Sequence, residues 1–100
     1  MSKIERFEDL KCWQSARELV KLVFELCNDE IPENEYELKG QLKRASLSSK
    51  NNIAEGFSRF HKRDSIRFYD ISQSSAAEVK SMSYPLEDLQ FLKPTSIKKL

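Results

Sequence analysis

Apolar residues recur at three- and four-residue intervals along three stretches of this chain, the spacing of side chains on one face of a helix. In the first, over residues 9–28, the apolar positions are Leu10, Trp13, Ala16, Leu19, Val20, Leu22, Val23, Phe24, Leu26 and Cys27. They cover an arc of roughly 200°, about twice that of a simple surface helix, which predicts a helix touching more than one neighbour. Pro32 blocks its continuation and pushes Ile31 out of the helical region.

Asn34 followed by Glu37 has the form of a capping box and predicts a second helix over residues 35–57. Its core stripe, Leu38, Leu42, Ala45, Ser49, Asn52, Ile53 and Gly56, falls within about 100°. Ala45, Ser49 and Gly56 are small, so another backbone can approach closely. Asn52 is then a buried amide that needs partners across a helix contact. Asp64 caps a third predicted helix, over residues 64–91, with the stripe Phe68, Ser72, Ser75, Val79, Met82, Leu86 and Leu89. The stripe continues past Pro85, which predicts a kinked helix rather than a stop. Lys93-Pro94-Thr95-Ser96 reads as a turn and N-cap, with a fourth helix starting at 96 and only four residues to follow. The expected fold class is all-α, a single up-and-down helical bundle of the four-helix type over residues 1–100 with its fourth helix largely missing.

Composition supports this. Two glycines and three prolines in 100 residues leave little material for the turns of an all-β domain. With 39% hydrophobic and 33% charged residues the chain can fold, but a domain of this size buries only about 60–68% of its unfolded surface, so oligomerisation is expected. No stretch approaches the roughly 18 consecutive apolar residues of a membrane span, and the N-terminus lacks a signal-peptide core; the expectation is a cytoplasmic protein with no membrane partner. Cys12 and Cys27 fall about 22 Å apart on one helix, too far for a disulfide. Neither belongs to a CxxC pair, and with one histidine no zinc quartet can form within one chain, so no metal or cofactor is expected.

The near-neutral total conceals an asymmetry. Residues 1–38 hold five basic and ten acidic side chains, residues 39–67 eight basic and two acidic, and residues 68–100 four of each. Lys39, Lys43 and Lys50 share one side of the second helix, clear of its core stripe. Arg44 lies beside them, and Arg59, Lys62, Arg63 and Arg67 crowd the next connection. Phe57 and Phe60 interleave with these charges. Such a surface suits nucleic acid, since cations replace phosphate counterions and rings stack on bases. The plainer alternative is that the acidic first helix neutralises the basic second one, within a bundle or between subunits, with both phenylalanines anchoring a loop.

Catalytic patterns are absent: there is no Gly-rich phosphate loop, HExxH, GxSxG or EF-hand. His61, with Asp64 nearby, is the one candidate base, and Ser46, Ser48 and Ser49 lie on a predicted helix with no histidine near them in sequence. Asp29-Glu30 and Glu87-Asp88 diverge on a helix. No catalytic residue is assigned, and the expected protein is not an enzyme.

The segment Phe7-Glu8-Asp9-Leu10, continuing to Trp13 and Ala16, resembles the opening F-x-D-L-x-x-W-x-x-A of the 23S rRNA intervening-sequence protein family, also called four helix bundle proteins. Gln41-Leu42-Lys43-Arg44-Ala45, followed by Asn52-Ile53-Ala54-Glu55-Gly56, resembles its second signature, and Phe68 to Glu78 its third-helix block. The resemblance implies a bacterial up-and-down four-helix bundle that assembles as a homopentamer and carries no catalytic residues. The sequence is also similar to the accessory protein of diversity-generating retroelements, which implies nucleic-acid binding through a basic surface. Two departures stand out: the proline often found in the segment matching Ser48-Ser49-Lys50 is absent, which implies a straighter second helix, and the fourth helix is short. Trp13, Asn52, Glu55 and Gly56 are carried over as a structural signature: Asn52 as an amide, Gly56 for close approach, and Glu55 as a partner for Arg59 at i+4. The expectation is a non-enzymatic oligomer binding RNA or DNA through Lys39, Lys43, Arg44, Lys50, Arg59, Lys62, Arg63 and Arg67; the alternative is a protein–protein scaffold with no nucleic-acid ligand.

Overall fold

Each of the three periodic stretches is a helix. The computed structural model describes residues 3–100; Met1 and Ser2, where the expected leader-free N-terminus begins, lie outside the described residues. A single 3-10 turn, Phe7–Asp9, leads into α1 (Lys11–Asp29), α2 (Tyr36–Ser58), α3 (Lys62–Asp88) and the four-residue α4 (Pro94–Ile97). The fold is an all-α helical bundle.

Several helix ends differ from the sequence expectation, each for a local reason. The Asn34–Glu37 capping box does not form: α2 starts at Tyr36 from Glu35, with no side-chain cap. The Pro32 carbonyl accepts the Glu35 N–H at 3.0 Å, and this turn leaves Asn34 at an exposed corner. Asp64 does not cap α3 either. The helix begins two residues earlier, and the carbonyl of His61 accepts the N–H groups of both Asp64 and Ser65 at 3.1 Å. Asp64 sits instead in the first turn, where its charge opposes the helix dipole favourably. Ser96 is not an N-cap, because α4 opens on Pro94 after an extended Lys93.

At its other end α3 continues past Pro85 and stops at Asp88. Gln90 then adopts a left-handed conformation, φ 59°. The Gln90 N–H donates to Glu87 O and the Phe91 N–H to Leu86 O, both at 2.9 Å, the paired bonds of a Schellman motif. The motif turns the chain away one residue too early for Leu89 to join the core; Leu89 is 56% exposed, and Leu92 is buried in its place.

α2 is the central element. It packs along α3 and, less extensively, along α1, while α1 and α3 share no comparable seam. Both pairings are antiparallel: Gln41 bonds Glu78 and Ser49 meets Ser72, whereas Lys43 lies over Phe24 and Lys50 over Trp13. The two ends of the resulting molecule, 46 Å long, differ. Where α1 passes into α2, a single cluster joins Val23, Leu26 and Cys27 to Leu42 and Ala45, to Val79, Met82 and Leu86, and to Leu92. Burial of this kind stabilises by about 25 cal/mol per Å² of apolar surface removed from water, which makes this closed end the anchor of the fold. At the opposite, open end the buried positions are Ala16, Ser49, Ile53, Gly56 and Ser72.

Candidate nucleic-acid interface

The open end is built on a seam of small side chains between α2 and α3. The Ser72 hydroxyl donates to the Ser49 carbonyl at 2.7 Å, and Ser48 and Ser75 exchange a hydroxyl bond at 2.9 Å. Asn52 does not bridge helices directly as expected. Its amide donates to the carbonyl of Ser48 on its own helix at 2.7 Å and to the Ser48 hydroxyl at 3.1 Å, reaching α3 only through Ser75. Local bonding of this type is the ordinary competitor for an amide within a helix. Gly56 does allow close approach: a Cβ there would lie 2.7 Å from the Tyr69 ring and 3.1 Å from the Ser65 carbonyl.

This seam fixes the short connection from α2 to α3 and hence the charges on it. Arg59 bonds Glu55 one turn back at 2.6 Å, as the i+4 spacing predicts, and its guanidinium stacks 4.5 Å from the centroid of the Phe68 ring. Lys62, Arg63 and Arg67 point into solvent from the first turns of α3. Phe57 is half-buried, in keeping with an anchoring role, but Phe60 is 94% exposed and anchors nothing. The His61 ring meets it edge-on, with centroids 5.1 Å apart and an interplanar angle of 89°.

Lys39, Lys43 and Lys50 are arranged differently. They do lie on one side of α2, yet that side faces α1 rather than open water, and all three are half-buried. The Lys43 ammonium sits 5.0 Å from the Phe24 ring and that of Lys50 5.8 Å from the Trp13 ring, cation–π contacts of about 0.5–1 kcal/mol at exposed sites. Arg17 approaches the same indole, at 5.8 Å, and Phe7 stacks edge-on against it at 5.3 Å. Arg44 is exposed on the outer face, beside Gly40. Lys39 and Arg59 are separated by about 30 Å of helix, so the eight basic residues divide into an exposed tip of four, a flank of three against α1, and Arg44 apart from both, rather than one patch. Within the chain no ion pair joins α1 to α2: among the described residues the ion pairs are Arg6–Glu8, Arg6–Asp9 and Arg59–Glu55.

The broad apolar arc of α1 meets α2 and the 3-10 turn, but its other margin opens on a groove. Cys12, Ala16 and Leu19 form one wall of this groove, Ser49 and Ile53 its floor, and Tyr69, Ser72 and Ala76 of α3 the other wall; its volume is about 540 Å³. Burial pushes the Tyr69 hydroxyl above its ordinary pKa, with the nearby Cys12 thiol adding to the shift.

The groove is in keeping with the broad arc of α1 and the largely missing fourth helix. One feature was not legible in the sequence: Glu30 accepts the backbone N–H of Lys93 at 2.8 Å and the hydroxyl of buried Ser96 at 2.6 Å. Burial alone would raise its pKa, but these two bonds and the positive charges of Lys93 and Lys99 outweigh it, so the carboxyl lies below its usual range. The partners are more than sixty residues apart in sequence, and no local pattern announces them.

A bundle of helices with Arg59, Lys62, Arg63 and Arg67 at one tip and an apolar groove between its outer helices defines a small helical-bundle protein. The chain belongs to the 23S rRNA-intervening sequence protein family, whose sequence profile matches residues 8–100. That match takes in α1 to α4 entire. No curated protein matches the sequence significantly. Among the described residues no helix is long and apolar enough to cross a membrane.

Proposed function

We propose that this chain is a non-enzymatic nucleic-acid-binding protein that works as a homo-oligomer, a pentamer by the family resemblance, in the bacterial cytoplasm. The observation that carries the reading is the state of the tip: Lys62, Arg63 and Arg67 are exposed and have no acidic partner within 4 Å among the described residues. Cations placed this way release phosphate counterions when a polyanion binds. Filter binding of a structured RNA and a DNA duplex should therefore weaken steeply with salt, with a log–log slope of about −0.7 to −0.9 per phosphate contacted. Reversal of Lys62, Arg63 and Arg67 to Glu should abolish retention while leaving the particle mass unchanged. Absence of binding at low salt by the unaltered protein overturns the proposal.

The groove between α1 and α3 favours a second reading, in which the chain is an assembly module and its basic residues serve subunit contacts. On that reading, Lys43→Glu with Arg44→Glu changes the mass measured by light scattering, whereas the nucleic-acid reading leaves it unchanged.

A further inference from the structure

Phe60 is the most exposed large hydrophobic residue of the described chain, more so than Tyr36 at 75% or Tyr84 at 59%. It is also held in place. It sits in the short connection between two long antiparallel helices, with the Arg59 N–H bonded to Gly56 O on one side and the His61 carbonyl accepting two N–H groups on the other. The His61 ring touches it edge-on, and the arginine of the tip that stacks on a ring has chosen Phe68 instead. None of the cation–π contacts among the described residues involves Phe60, which is 94% exposed. A protein-binding hot spot has an apolar surround that excludes water, whereas here the residues flanking Phe60 along the chain are Arg59, His61, Lys62 and Arg63, all exposed. An exposed ring among cations suits a strand that presents a flat base and flanking phosphates together.

Resting on the nucleic-acid reading above, the geometry points to an unpaired nucleotide as the ligand of this tip, its base stacked on Phe60 and its neighbouring phosphates held by Lys62, Arg63 and Arg67. Bases within a duplex are already stacked and offer Phe60 no face. The tip therefore distinguishes single-stranded from double-stranded nucleic acid without reading sequence, while its cations bind both.

The test is fluorescence anisotropy with three labelled probes: oligouridylate and oligothymidylate of about 12 nucleotides, and a blunt DNA duplex. Phe60→Ala should weaken both single-stranded probes about 5- to 150-fold, the equivalent of one lost base stack, and leave duplex affinity and the salt slopes unchanged. Phe60→Trp should retain single-strand affinity, and its emission should be quenched by either oligonucleotide. A larger loss with one of the two oligonucleotides identifies RNA or DNA as the preferred source. Equal losses on all three probes, or no loss on any, overturn the stacking assignment while leaving the basic-surface reading standing. A fall in particle mass for Phe60→Ala with unchanged binding overturns it in favour of a subunit contact. Failure of the unaltered protein to bind any probe removes both readings.

Discussion

At the closed end, α1, α2, α3 and the segment leading to α4 share one apolar cluster; at the open end, the same three long helices are joined pairwise through α2, and serines and a glycine stand where leucines stand below. Large side chains hold neighbours by the surface they remove from water, so several helices can converge on one of them. A serine seam holds by short hydrogen bonds and by allowing backbones close together, which serves two helices and has nothing to offer a third. The open end consequently exposes a groove, and the connection beyond it carries the cations Arg59, Lys62 and Arg63, whereas the closed-end connection carries the carboxylates of Asp29, Glu30, Glu33 and Glu35.

Five substitutions probe this contrast, in order of expected size. Leu86 is fully buried at the centre of the closed cluster, and Leu86→Ala should destabilise by about 2–5 kcal/mol in urea unfolding. A smaller loss would mean that the cluster is not the anchor. Glu30 ties the C-terminal segment to the closed end, and Glu30→Gln should cost about 1.5–3 kcal/mol, the range for charge-assisted bonds. Its pKa is lowered in the fold, so this contribution is complete above the ordinary carboxylate range and is lost as pH falls through the lower folded value. Acid titration followed by amide exchange at Lys93 should show that segment releasing, and the glutamine variant should lack the step.

The two glycines offer a matched pair. At Gly56, on the open end, an added methyl meets the Tyr69 ring and the Ser65 backbone, so Gly56→Ala should destabilise by about 1–3 kcal/mol despite better helix propensity. At Gly40, near the closed end, the nearest atoms belong to the flexible tip of Arg44, 3.0 Å away, and Gly40→Ala should stabilise by up to about 1 kcal/mol. Changes of the same sign in thermal melts would refute the contrast. Gln90→Gly should stabilise by about 1 kcal/mol, because only the present side chain resists the left-handed conformation.

What was legible in the sequence follows the same division between local and non-local. Helix periods, the α2-facing stripe of α3 as far as Leu86, and the Glu55–Arg59 pair are set by neighbours within a few residues and could be read directly. Leu89 was misplaced because a Schellman turn built on glutamine carries no glycine to announce it. The lysines of α2 were assigned to the correct side of their own helix, but a helical wheel does not say where the next helix lies, and α1 lies on them. Phe57 and Phe60 looked alike among their charges; one belongs to the last turn of α2 and the other to the connection, and that difference of three positions decides which is buried.

Trp13 is the single tryptophan of the chain, half-buried at the start of α1 with Phe7 in T-shaped contact and Lys50 over its ring. The molecule therefore carries an intrinsic optical reporter at one end only. Its emission follows the separation of α1 from α2 beside the groove, whereas far-ultraviolet ellipticity follows every helix at once. Recorded together on a temperature ramp, the two signals coincide if the bundle melts as one cooperative unit and part company if the serine end opens first.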